Sequence, residues 1–240
     1  YGDHRDLHLS LRRQRQMCIR DRYKPANLNW VEAASIPEVY ATCWLNLFME
    51  ASMKEGDKVV FHAGASGIGT AGIQLAKAFG CESFVSAGSE NKIDMCINLG
   101  ASDGEVRSRD IFSKIKSWAP EGVDVILDPV GAEYFESNLN VLGIEGRLVI
   151  IGLMSGAQTN LNLGHLMIKR QKIIGSTIRA RNVETKNIVM EELSQKVLPL
   201  FKSGELIPII HETYPLSESE KAHEIMEANE NMGKIILTLD

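Results

Sequence analysis

The densest chemical signal in the chain lies between Lys58 and Gly80, KVVFHAGASGIGTAGIQLAKAFG. Within it, Gly67-Ile68-Gly69-Thr70-Ala71-Gly72 is a complete G-x-G-x-x-G. Glycines at this spacing let a polyanion approach the main chain, and a helix that opens there offers free N–H groups and a positive dipole end. The chemistry implied is binding of a dinucleotide pyrophosphate. Gly67 is expected to make the tight turn, Gly69 to admit the pyrophosphate and Gly72 to pack the helix on a strand. His62, just before the turn, is expected to pack rather than react. His211 and His223 are expected at surface or boundary positions. Trp44, Tyr134 and Phe135 read as core side chains. Cys18, Cys43, Cys81 and Cys96 show no C-x-x-C spacing, so neither a zinc site nor a disulfide frame is indicated. Cys43, Cys81 and Cys96 are expected to behave as small buried hydrophobes.

The motif is informative only if a strand precedes it and a helix follows. Val59, Val60 and Phe61 form a short apolar run of β-formers, and Ala71, Ile73, Leu75, Ala76, Ala78 and Phe79 then recur at helical spacing up to Gly80. The same alternation continues. Strands are predicted over 83–87, 101–106, 123–127, 147–151 and 172–178, and helices over 90–99, 111–118, 133–142 and 161–170. Upstream, Asn29 caps a helix whose first turn carries Glu32 and which Pro37 interrupts, and Thr42–Met53 is amphipathic. Strands separated by helices of this length form right-handed βαβ units on a parallel sheet covered on both faces. The expected fold is α/β, a Rossmann-type doubly wound parallel sheet. After Ile178 the rhythm changes to a long helix over 184–203, a strand over 206–211, a helix over 217–229 and a strand over 234–239. These pieces are too few for a domain, and Ile209, Ile210, Ile235, Ile236 and Leu237 are expected to be partly uncovered.

The 240 residues can bury a sizeable core, and 44% hydrophobic with 24% charged residues is ordinary globular composition. A net charge of −5 argues against nucleic acid or an anionic membrane as the main partner. No apolar run approaches the ~20 residues of a membrane span. Free thiols suit a reducing compartment, and a cytoplasmic location is expected. Residues 1–22 read differently from the remainder, with six arginines, no lysine and no clean period. The run Met17-Cys18-Ile19-Arg20-Asp21-Arg22 resembles the translation of a sequencing-library transposase adapter, so 1–22 is expected to be a non-native segment outside the fold.

The frames AASIPEVYATCW, VVFHAGASGIGTAGIQLAKAFG, AGSENK, VDVILDPVGAEYF, GRLVIIGLMSG and EANENMGKIILTL occur in that order. Together they resemble the zinc-free quinone oxidoreductases of the medium-chain dehydrogenase/reductase superfamily, nearest to the p53-inducible quinone oxidoreductase type. The resemblance covers residues 23–240. It implies a lead-in over 23–38, a Rossmann NADP-binding domain over 39–180, and over 181–240 the C-terminal remnant of a GroES-like catalytic domain whose larger part precedes this chain. By resemblance, Ser66, Gly67, Ile68 and Gly69 form the pyrophosphate loop and Thr42 contacts the nicotinamide end. Gly88, Ser89 and Lys92 meet the adenosine 2′-phosphate. The turns Val130-Gly131 and Gly152-Leu153 flank the adenosine and nicotinamide halves, and Arg107 stands where relatives often carry Tyr or His. Glu38 occupies a position where zinc-dependent relatives place a ligand cysteine, so no metal is expected.

Cofactor choice can be weighed from the residues themselves. An acidic side chain ~20 residues beyond the glycines holds the ribose 2′-OH of NAD, whereas a basic neighbour accommodates a 2′-phosphate. Ser89 stands 22 residues beyond Gly67 and Lys92 follows, which predicts NADPH unless the Glu90 carboxylate turns inward. The implied activity is NADPH-dependent reduction of a small-molecule quinone by metal-free hydride transfer, in a protein that is a homodimer at full length. Enoyl-thioester reduction and nucleotide binding without turnover are the alternatives. The groups that would steady the acceptor are expected upstream of this chain, and no catalytic residue is assigned.

Overall fold

The computed structural model describes residues 24–239, so the expectation for 1–22 lies outside the described residues. Six strands form one parallel sheet: β1 (Lys58–Phe61), β2 (Glu82–Ala87), β3 (Asp103–Val106), β4 (Val123–Asp128), β5 (Leu142–Ile150) and β6 (Lys172–Gly175). Their spatial order is β3-β2-β1-β4-β5-β6. This is the doubly wound order, and its direction reverses between β1 and β4, the crevice where such sheets bind ligands. Side chains of the central strands and of β5 alternate between two cores. Val59, Phe61, Val85, Val125 and Leu127 enter one, and Val60, Phe84, Ile126 and Leu148 enter the other. Burial on both faces explains why these strands read as continuous apolar runs.

The helices that matter for the site have clear local causes. Asn29 accepts from the Glu32 amide while Glu32 accepts from the Asn29 amide, a capping box that starts α1 (Trp30–Ala34). Pro37 does not break a helix; it starts α2 (Pro37–Cys43), where its missing N–H is harmless. The chain then continues through a widened π-type turn, Trp44–Glu50. Next come α3 (Gly67–Ala78), α4 (Glu90–Leu99), α5 (Ile111–Trp118), α6 (Ala132–Val141) and α7 (Leu163–Lys169). The predicted strand at 147–151 is longer than expected, because β5 begins at Leu142, and β6 stops at Gly175 rather than 178.

Beyond β6, a nearly continuous helical stretch comprises α8 (Val183–Glu192), a π-type turn, and α9 (Leu198–Ser203). The strand expected at 206–211 is displaced to β7 (Ile210–Pro215). Pro208 cannot donate to a ladder. The segment before β7 instead docks on the sheet domain, with the Ile207 amide donating to Gln74 of α3 at 2.9 Å. After α10 (Ser219–Glu227), β8 (Lys234–Thr238) pairs in parallel with β7, giving a separate two-stranded sheet. Ile209, Ile210 and Ile235 are half-buried and Leu237 is exposed, whereas Ile236 is buried. Among the described residues, no helix is long and apolar enough to cross a membrane.

Candidate functional site

The site is built at the carboxyl ends of β1, β2 and β4. Ser66 caps α3: its backbone is extended, and its hydroxyl accepts from the Gly69 amide at 3.0 Å. The Ile68 amide, one residue earlier, has no acceptor among the described residues, as expected of a first-turn donor. The glycines answer to packing constraints beyond those read in the sequence. A Cβ on Gly69 would lie 2.4 Å from the Gly64 carbonyl oxygen, so the missing side chain also lets the turn close onto its own backbone. Gly67 lacks the left-handed backbone of a tight turn; its missing side chain makes room for Val39 and Lys234. Gly72 has its expected role, with the Phe61 ring of β1 2.5 Å from where its Cβ would stand.

A cleft of about 120 Å³ opens beside this turn. Of the predicted site residues, Ser66, Gly88, Lys92, Arg107 and Val130 line it. Thr42, Ile68, Gly69, Ser89, Gly131, Gly152 and Leu153 do not, and neither does Gly67. Thr42 is buried, with its hydroxyl directed to Glu38 at 3.4 Å. Gly131 donates to Asp128, and Gly152 backs onto Pro129. Leu153 projects to solvent, and its neighbour Met154 takes the lining position. Tyr134, read as core, is a wall of the cleft. Burial raises the Tyr134 phenol above its ordinary pKa, followed by the charge of Glu133.

The cationic end of the cleft is defined by what is near it. Lys92 and Arg107 both line it, and no carboxylate does. Glu90, the objection raised by the sequence, is turned outward: its carboxylate pairs with exposed Arg109 at 2.6 Å. Partial burial, and then the charge of Arg107, lower the Lys92 pKa. Lys92 also shows a feature absent from any sequence motif. Its ammonium donates to the carbonyls of Asn229 at 2.5 Å and Asn231 at 3.0 Å. The segment 229–233 is therefore part of the cleft wall, and Gly233 donates to the Ala65 carbonyl at 2.8 Å. Lys234 then reaches Glu38 at 3.4 Å. This long-range closure has no local signature, because main-chain carbonyls carry no residue-type code.

Beneath the cleft lies a polar chain. His62 Nε2 is 2.8 Å from Asn138 Oδ1 and His62 Nδ1 is 3.0 Å from Ser86 Oγ. Asn138 Nδ2 donates to Asp128 at 3.1 Å, and Asp128 also accepts from the Val130 and Gly131 amides. Burial lowers the His62 pKa and raises that of Asp128, and their mutual attraction opposes both shifts. The buried thiol of Cys43 donates to the Ile68 carbonyl.

Residues 67–195, more than half of the chain, match the family model described as zinc-binding dehydrogenase. The chain belongs to this family of medium-chain dehydrogenases/reductases. It is an oxidoreductase fold of known lineage. Among curated relatives, the highly reducing polyketide synthase PKS6 of Gibberella zeae is 30% identical over 226 residues, covering 90% of this chain and 9% of the synthase. An NAD-dependent alcohol dehydrogenase superposes with a TM-score of 0.81 at 29% identity, covering 91% of this chain and 62% of that one. JamJ enoyl reductase superposes at 0.77 and 27% identity, covering 91% and 66%. The Escherichia coli quinone oxidoreductase complexed with NADPH gives 0.77 and 27%, covering 90% and 67%. Despite the family's description, no three His, Cys, Asp or Glu side chains gather as metal ligands among the described residues. The described residues do not fit a zinc site.

Proposed function

We propose that this family member binds NADPH in the cleft and forms the cofactor-binding part of an oxidoreductase that reduces a conjugated acceptor. The observation that carries the reading is the pair Lys92 and Arg107 in a cleft without a carboxylate, beside the N-terminus of α3. Bound NADPH would supply a hydride at its nicotinamide C4. The Ile68 amide and the α3 dipole would hold the pyrophosphate, and Gly88, Lys92 and Arg107 the 2′-phosphate. Tyr134 would flank the adenosine, and the Val130-Gly131 turn is held rigid by Asp128. Thr42 and the Gly152-Leu153 turn would lie toward the nicotinamide end. Ser89, which starts α4 without a side-chain cap bond, leaves its hydroxyl available to the ribose phosphate. Residues 181–240 are proposed to complete a GroES-like catalytic domain.

The acceptor is first proposed to be a quinone, reduced without metal. The second reading, an α,β-unsaturated thioester, is favoured by the likeness to JamJ enoyl reductase and by the polyketide-synthase relative. A panel of a benzoquinone and a crotonyl thioester, each with NADPH and with NADH, separates them on the chain and on a form extended at its N-terminus by a GroES-like domain. NADPH consumption with the quinone alone supports the first reading, with the thioester alone the second. Saturable NADPH binding with neither consumed would leave nucleotide binding without turnover.

Self-association is part of the same proposal. β6 is the last strand of the sheet, and α7 beside it exposes Leu163, Met167 and Ile168. Light scattering is expected to read twice the chain mass, and Ile168→Lys to return it to one. A monomeric wild type would count against a homodimer. The free, buried thiols of Cys43, Cys81 and Cys96 support a reducing, cytoplasmic location.

A further inference from the structure

The polar chain beneath the cleft has a direction, and that direction can be read from donors and acceptors. Every contact of the Asp128 carboxylate is with an N–H donor: Val130 at 2.6 Å, Gly131 at 3.3 Å and Asn138 Nδ2 at 3.1 Å. This orients the Asn138 amide, because only its Nδ2 can donate to a carboxylate. Asn138 Oδ1 is therefore the atom facing His62 Nε2 at 2.8 Å, and it requires a donor. His62 must carry its proton on Nε2. Packed edge-on against Tyr134 and Phe112, and buried, the ring is neutral, so Nδ1 is a bare acceptor. Ser86 Oγ, 3.0 Å from Nδ1, must then donate its hydroxyl proton inward. Ser86 Oγ has no other hydrogen-bond partner among the described residues, and Ser86 lines the cleft.

We propose that His62 is a positioning residue that locks the Ser86 hydroxyl as an acceptor toward the cleft, selecting nucleotides that present a donor there. The donor would be a hydroxyl or an exocyclic amine on the adenosine half, since Ser86 sits at the end of β2, where that half binds in doubly wound sheets. Lys92 and Arg107 answer the anion; Ser86 answers a neutral donor beside it. The donor-selecting part rests on the cofactor reading above.

Two measurements separate the parts. Nitrogen NMR of the imidazole in the full chain, without nucleotide, reads the tautomer directly. The proton is expected on Nε2 at neutral pH, and a proton on Nδ1, or a doubly protonated ring, overturns the relay. Dissociation constants of NADPH then test selection. Ser86→Ala is expected to weaken binding about 2- to 10-fold, the range of one neutral hydrogen bond. His62→Leu is expected to do the same, and the double variant no more than either alone. His62→Gln, whose amide can donate to Asn138 and accept from Ser86, is expected to restore binding, which keeps the test meaningful if His62→Leu fails to fold. The hypoxanthine analogue of NADPH lacks the adenine amine, and a 3′-deoxy analogue lacks the ribose hydroxyl. Loss of the Ser86→Ala penalty with one of them identifies the donor. An undiminished penalty with both, or additive losses in the double variant, overturns the selection. A wild-type chain that binds no NADPH overturns the cofactor reading and the selection with it, while the imidazole spectrum still decides the relay.

Discussion

Gly69→Ala is expected to destabilise the chain by about 3 kcal/mol, the upper range for forcing atoms into a packed site. The atoms that its Cβ would meet are all backbone: the Gly64 oxygen at 2.4 Å, the Ala63 oxygen at 2.6 Å and the Gly64 carbon at 2.6 Å. No flexible side chain is available to swing aside. Ala63 already holds a left-handed conformation at φ +56, so the turn has little freedom to give way. For a chain of this size the cost corresponds to a fall of roughly 6–12 °C in Tm. Gly88→Ala is the matched control. Its nearest neighbour is Arg107 Nε at 4.0 Å, and stability is expected to stay within about 0.5 kcal/mol. Thermal unfolding followed by circular dichroism checks both. Equal behaviour of the two variants would show that the turn is not the rigid element described.

Lys92→Ala is expected to weaken NADPH by about 10- to 150-fold, the equivalent of one charge-assisted contact of roughly 1.5–3 kcal/mol. NADH should lose much less, because it lacks the 2′-phosphate. The structure adds a complication that the comparison of cofactors resolves. Lys92 also holds the Asn229 and Asn231 carbonyls, so its removal loosens the 229–233 segment. That loosening acts on both cofactors equally, whereas the phosphate contact acts on one. The ratio of the two losses, read by titration of dinucleotide fluorescence, therefore isolates the electrostatic part. Equal losses, or wild-type preference for NADH, would remove Lys92 from the phosphate site.

The sheet was legible because its central strands β1, β2 and β4 bury both faces and helices such as α4 carry their own stop signal. The ranges of α4 and α5 matched the sequence reading residue for residue, with Gly100 in the left-handed conformation ending α4. Part of the cleft was legible too, in Ser66, Gly88, Lys92, Arg107 and Val130. The packing around Gly67 and Gly69 was not, because spacing alone does not reveal which atoms a missing side chain accommodates. Gly69 answers to Gly64, a residue outside the motif as read. Ile210–Pro215 was misplaced because apolar residues that dock on α3 look the same in sequence as residues that enter a ladder. His62 and Tyr134 read as packing in the sequence, which is what a buried histidine and an aromatic residue usually do. The polar partners of His62, Ser86 and Asn138, lie 24 and 76 residues away, beyond any local pattern.

The contact of residues 229–233 with the glycine turn also bears on the order of events during synthesis. All six strands of the parallel sheet have been translated by Gly175, and a domain emerging from the ribosome can begin to fold while the remainder is still being made. The nucleotide cleft cannot be finished then. Its far wall, and the carbonyls that hold Lys92, belong to residues translated more than fifty positions later. At about 5–20 residues per second, the sheet waits several seconds for them. Dinucleotide capture on stalled nascent chains is thus expected to switch on only once residues 229–234 have cleared the ribosome, making cofactor affinity a reporter of how far translation has run.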